Sequence, residues 1–192
     1  MITSITQHNV ATVHGPHFLQ WIGHLKGTPA SGMELGTLLG ESAEWMLKNI
    51  FTHPDSSYLC VDTFGGSVEH GGTESDWAEL EASTRAKLSA YPQAVVCKNR
   101  SADWMKICPE GLDFIFIDAA HDSLNVLRDS VLAFDLLKVG GTLCWDDYGW
   151  NVMPDPLDCP KVAIDSFLNI YSRQIEVLGK GWLVAAKKIH DA

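Results

Sequence analysis

The sequence predicts an α/β fold, a doubly wound seven-stranded sheet that is parallel except for a C-terminal antiparallel hairpin. Three observations carry that expectation. Five short apolar runs bounded by turn residues alternate with segments of helical periodicity. Such alternation brings right-handed crossovers and helices on both faces of a sheet. After Cys159 the alternation stops, and two strand-like runs flank Gly179-Lys180-Gly181, a turn too short for anything but antiparallel neighbours. A chain of 192 residues suits one domain spanning 1–192, with an N-terminal helical or lid segment over 1–27 and a core over 28–192.

Taken in order, a helix is expected over Phe18–Leu25, where it could cover the top of the sheet or serve as an oligomer contact. The parallel strands are expected near Gly32–Leu35, Tyr58–Val61, Gln93–Cys97, Asp113–Ile117 and Thr142–Trp145. Between them the helices are Glu41–Phe51, Ser75–Tyr91, Ala102–Cys108 and Ser123–Leu137. The last of these sets Leu124, Leu127, Val131 and Phe134 at spacings of three and four, one apolar face. Gly140-Gly141 is expected to end it. A helix over Pro160–Tyr171 then leads to strands over Gln174–Leu178 and Trp182–Lys187.

Composition narrows the function. Lys and Arg are thinly spread in a chain of formal charge −10, so no basic stripe follows a phosphate backbone and nucleic acid is a poor substrate. No apolar run approaches the ~18 residues of a membrane span, and the N-terminus lacks the pattern of a signal peptide. The five cysteines are scattered, without a CxxC pair, which points to reduced thiols and a cytoplasmic setting.

The chemistry begins at Glu34-Leu35-Gly36-Thr37-Leu38-Leu39-Gly40, where the first strand turns into the first core helix. In such sheets ligands bind at the carboxyl ends of the strands, where strand order reverses. Gly36 lets backbone approach a ligand, Gly40 starts the helix tightly, and the amides after it favour an anion. The heptapeptide is neither a pyrophosphate-binding GxGxxG nor a P-loop. Glu34 suits a ligand that also carries a cation, such as an amino-acid head. Asp62 ends the second strand, where a carboxylate accepts hydrogen bonds from ribose hydroxyls. Together these features indicate a nucleoside bearing an amino-acid-like group. Ser101, Ala102 and Asp103, after the third strand, lie where a base could be held.

The stretches ELGTLLGES, VDTFGG, NRSADW, FIDAAHDS and LLKVGGTLCWDDY, in this order and spacing, resemble a class I S-adenosylmethionine-dependent methyltransferase. The nearest types are the metal-dependent small-molecule O-methyltransferases, of the catechol kind and the bacterial sugar and macrolide kinds. The resemblance implies a Rossmann-like fold and covers about Gly32 to Lys187. It implies S-adenosylmethionine as cofactor, held by Glu34, Gly36, Thr37, Gly40, Ser42, Asp62, Thr63, Ser101, Ala102 and Asp118. Within that set, Ser42 would meet the methionine carboxylate and Asp62 the ribose. A homodimer is plausible from the resemblance only.

Asp118 ends the fourth strand, and Asp146 and Asp147 end the fifth, its expected neighbour. Like charges so close repel unless a cation joins them. Oxygen ligands suit Mg²⁺ or another divalent cation, which could bind a substrate hydroxyl and lower its pKa. Catechol-type enzymes have an asparagine at the position of Asp147. His121, three residues past Asp118, stands where those enzymes carry a general-base lysine, and histidine accepts a proton near neutrality. Asp118 and His121 are thus the expected catalytic pair. His8, His14, His17, His24, His53, His70 and His190 show no ligand spacing and are expected at the surface.

Trp145, Tyr148 and Trp150 surround the aspartate pair and could wall a pocket for a small-molecule acceptor, core packing being the alternative for Trp145. The glycine-rich stretch Thr63–Glu74 is long enough to form a lid. Two other functions stay open: another transferase on the same cofactor scaffold, without a metal, and a protein that binds the nucleoside without turnover.

Overall fold

The computed structural model describes residues 10–66 and 70–192. The strands are β1 (Ser31–Leu35), β2 (Ser57–Asp62), β3 (Ala94–Lys98), β4 (Leu112–Ile117), β5 (Leu137–Trp145), β6 (Ile175–Lys180) and β7 (Val184–Lys188). They form one seven-stranded sheet in the order β3-β2-β1-β4-β5-β7-β6. The first five are parallel, and β7 runs antiparallel to both β5 and β6. The helices are α1 (Val10–Val13), α2 (Gly15–Ile22), α3 (Glu41–Asn49), α4 (Glu74–Leu88), α5 (Ser101–Met105), α6 (Ser123–Leu136) and α7 (Pro160–Ile170). Strand order reverses between β1 and β4, so a crevice opens at their carboxyl ends.

The two-residue period of the strands sorts the core into two layers. Leu35, Ile115, Ile117, Leu143 and Trp145 face α6 and α7, packing with Val126, Phe134 and Phe167. Tyr58, Cys60, Phe114, Phe116 and Cys144 face the other way, against Phe18, Trp21, Met46 and Phe51. β4 is buried along its whole length, which is why LDFIFI reads as a continuous apolar run rather than an alternating one. A third cluster, Phe64, Trp77 and Leu80, lies under the glycine turn and gathers Leu38 and Leu39.

Three local expectations are corrected. The N-terminal helix starts at Gly15 rather than Phe18, because Pro16 suits a helix's first turn, and it ends in a 3₁₀ turn over Gly23–Leu25. Gly140-Gly141 does not end α6. The helix stops at Leu136, Leu137 pairs directly with Leu112, and the glycines lie in a bulge before Thr142 meets Phe114. The final hairpin turns at Gly181–Leu183, not Gly179–Gly181, since Lys180 still pairs with Val184. Trp182 therefore sits in the turn, about half exposed.

Among the described residues no helix is long and apolar enough to cross a membrane, and the five cysteines are free thiols. The expected lid over Thr63–Glu74 includes residues 67–69, which lie outside the described ones, as do residues 1–9 of the N-terminal segment and with them His8. Glu74 belongs to α4, whose start is fixed by a capping box between Thr73 and Asp76.

Candidate active site

The carboxyl ends of the central strands are linked stepwise by backbone hydrogen bonds. The amide of Gly36 donates to Val61 O at 2.8 Å, that of Asp118 to Leu35 O at 2.9 Å, and that of Asp146 to Ile117 O at 3.0 Å. This ladder brings Gly36, Asp62, Asp118 and Asp146 to one edge. Gly36, at φ 93°, packs against the next strand end: a Cβ there would stand 1.8 Å from Asp118 O. That packing is a further reason for glycine, beside the close approach of a ligand. Gly40, at φ 69°, is the left-handed N-cap of α3, and its amide closes the turn onto Thr37 O at 2.7 Å.

Glu34 lies beneath this turn, 1% exposed. Its Oε2 accepts hydrogen bonds from Ser42 Oγ at 3.0 Å and Tyr58 Oη at 3.2 Å, while Oε1 has no hydrogen-bond partner among the described residues. Burial raises its pKa to about 7, against the hydroxyls of Thr37, Ser42 and Tyr58, which favour the carboxylate. The Thr37 hydroxyl is close enough for that effect yet forms no hydrogen bond of normal geometry. Ser42 thus points its hydroxyl inward, leaving the first-turn amides of α3 as the groups available to an anion.

Asp62 accepts from the amides of Leu38 and Phe64, each at 2.7 Å, and burial raises its pKa. Leu38 and Phe64 are both in the left-handed region, at φ 45° and 47°. Their side chains join the cluster around Trp77, which offsets the cost of that conformation. Thr63 is exposed and accepts from Gly65 N at 3.3 Å. Ser101 and Ala102 open α5, and Ser101 donates to the buried Asp129 at 2.9 Å.

At the far end of the edge, ligand atoms of Asp118, His121 and Asp147 all lie within 4.8 Å of one another. Burial first, then repulsion from Asp146 and Asp147, holds the Asp118 pKa well above the usual carboxylate range. His121 Nε2 stands 2.9 Å from Asp147 Oδ2, and its ring tilts against Trp150 with centroids 4.9 Å apart. Asp147 reaches this position through a left-handed backbone, φ 59°. The three residues line a cleft completed by Trp145, Val126 and Pro160.

The structure groups these side chains differently from the expected Asp118, Asp146 and Asp147. His121 enters the cluster, whereas the Asp146 carboxylate is engaged behind it. Asp146 Oδ1 accepts from Asp147 N at 2.7 Å, and Oδ2 lies 3.4 Å from His14 Nε2. Burial raises the Asp146 pKa to about 7, and the Trp182 indole works against that rise. Trp150 packs on His121, but the Tyr148 hydroxyl points elsewhere: it donates to Asp165 at 3.0 Å and accepts from Lys161 Nζ at 2.6 Å. His14, expected at the surface, is 5% exposed. The signal that could have found it is His14-Gly15-Pro16, a helix start that tucks the histidine under the first turn.

A methyltransferase-domain family model matches residues 33–148, more than half of the chain, and the chain belongs to that family. No curated protein matches it. Solved structures share its fold at low identity. One is an O-methyltransferase from Bacillus cereus in complex with SAH, with TM-score 0.66, 20% identity, and coverage of 95% of this chain and 84% of that one. A second is the O-methyltransferase TomG from Streptomyces achromogenes in complex with SAM, with TM-score 0.64, 15% identity, and 97% and 82% coverage. A third is an rRNA methylase from Streptococcus thermophilus, with TM-score 0.64, 10% identity, and 97% and 100% coverage.

Proposed function

We propose that this methyltransferase moves the methyl group of S-adenosylmethionine to a hydroxyl of a small molecule, with a divalent cation held by Asp118, His121 and Asp147. The observation that carries the reading is the continuity of one edge: the glycine turn and Asp62 at one end, the Asp118–His121–Asp147 cluster at the other. Complexes of similar folds with SAM and SAH support the cofactor. A charge of −10 favours a small acceptor over RNA.

The methionine carboxylate would sit at the first-turn amides of α3 and the ribose at Asp62, in competition with the amides that Asp62 now accepts. The donor set fits a divalent cation: two carboxylates and an imidazole converge, and Asp118 is buried beside the carboxylates of Asp146 and Asp147. When bound, the cation would supply positive charge that favours ionisation of the acceptor hydroxyl. Transfer breaks the S–CH₃ bond as the O–CH₃ bond forms, in line, and the hydroxyl proton passes to a base of the site or to water. The edge aligns donor and acceptor, and Trp150 supplies an apolar wall beside the cluster.

A second reading has its own observation. Nε2 of His121 at 2.9 Å from Asp147 describes an imidazole oriented by a carboxylate, an arrangement suited to general-base catalysis without a cation. Titration calorimetry with SAM and SAH, with Mn²⁺ or Mg²⁺ and then with EDTA, tests both. Micromolar nucleoside binding and a cation heat lost in Asp118→Ala are expected. Nucleoside binding without a cation heat selects the second reading, and no binding of SAM or SAH overturns the proposed function.

A further inference from the structure

The N-terminal segment lies outside the family match yet reaches the site. His14 is held by both its backbone and its ring. Its amide donates to Val10 O at 3.1 Å, and its carbonyl accepts from Phe18 N at 3.0 Å. Its ring packs edge-on to Phe18 and Phe116, with centroids 6.0 and 6.4 Å away. The following Gly15 sits so close to Trp45 that a Cβ would approach the indole to 2.8 Å. An imidazole held this firmly presents Nε2 to Asp146 Oδ2 at 3.4 Å.

We propose that His14 is a positioning residue for the Asp118–His121–Asp147 cluster, acting through Asp146. With Oδ2 held from the N-terminal helix, Asp146 keeps Oδ1 on the Asp147 amide at 2.7 Å. That bond secures the left-handed turn at Asp147, and the turn aims the Asp147 carboxylate at His121. Without His14 the Asp146 carboxylate keeps only the Trp182 indole on that side, and its hold on the Asp147 amide loosens. His14 therefore helps to hold the Asp147 carboxylate against His121. The inference rests on the cluster being the working end of the site.

The ring-nitrogen NMR shifts of His121 test it in protein free of cation and nucleoside, at about pH 8, where an ordinary histidine is neutral. Asp147→Ala supplies the shifts of a His121 that has lost the Asp147 carboxylate. In His14→Leu, of similar bulk, His121 is expected to move to those values. In His14→Gln, which keeps a donor, it is expected to stay as in the native protein. Asp146→Ala should reproduce His14→Leu, and it decides the matter should the leucine variant not fold. Native His121 shifts in a folded His14→Leu or in Asp146→Ala would overturn the proposal. Because the sample holds no ligand, a failure of SAM to bind in calorimetry leaves this result intact.

Discussion

Glu34 and Gly36 face opposite demands within one turn. Gly36 has no side chain to place, and Asp118 O occupies the space where one would be. Glu34 has a charge to place, and the fold surrounds it with hydroxyls rather than a cation. Its folded pKa of about 7 lies above the ordinary 4.5, so the folded state binds the extra proton between those values. Stability contributed by protonated Glu34 is therefore full below 4.5 and is lost as pH rises through 7. Glu34→Gln removes that slope. In urea titrations from pH 4.5 to 8 the variant should gain on the native protein by on the order of 3 kcal/mol. A constant difference across the range would show that Glu34 is charged throughout. The sequence displayed Glu34, Gly36, Asp62 and Asp118 because strand and turn patterns mark strand ends. It did not show that Ser42 turns inward or that His121 lies within 4.8 Å of Asp118 and Asp147, since those depend on side-chain directions set by residues distant along the chain.

At the level of elements, helix ends were the hardest to read. Gly140-Gly141 looked like a helix stop, but α6 ends four residues earlier, on a buried lysine that no local pattern announces. Lys188 of β7 is 4% exposed and donates to Phe134 O at 3.0 Å and Leu137 O at 2.7 Å. Its ammonium also lies 4.5 Å from the centre of the Phe134 ring, and Asp191 pairs with it at 3.0 Å. One side chain thus caps the helix that carries the wall of the cleft and ties it to the last strand. Lys188→Met, which keeps the packing and loses the donors, should cost roughly 2–3 kcal/mol, read as a lowered urea midpoint. An unchanged midpoint would mean that the carbonyls find water instead. The strands were legible because apolar runs between turns have few other fates, and the hairpin shifted by two residues because β6 carries a bulge at Val177–Gly179.

For the whole molecule, the site is an edge that only the assembled sheet provides, so occupancy and stability are linked. At SAH near 100 times its Kd, stability should rise by ~2.7 kcal/mol. For a chain of this size that is a Tm increase of roughly 5–11 °C. The shift should vanish in Asp62→Ala, and its persistence there would separate the ribose from Asp62. Fold class was readable at this scale because the βα alternation and the closing hairpin are both properties of order along the chain. The contribution of the N-terminal segment was not, because α2 binds the sheet face through Phe18 and Trp21 rather than through any repeated pattern. The position of β7 has a consequence for synthesis. It lies between β5 and β6 but is made after both. As the ribosome adds ~5–20 residues per second, the edge of β5 stays bare for roughly 2–8 seconds after Trp145 is made. During that interval the nascent protein offers an unpaired apolar strand to its surroundings, and β7 is the segment that withdraws it.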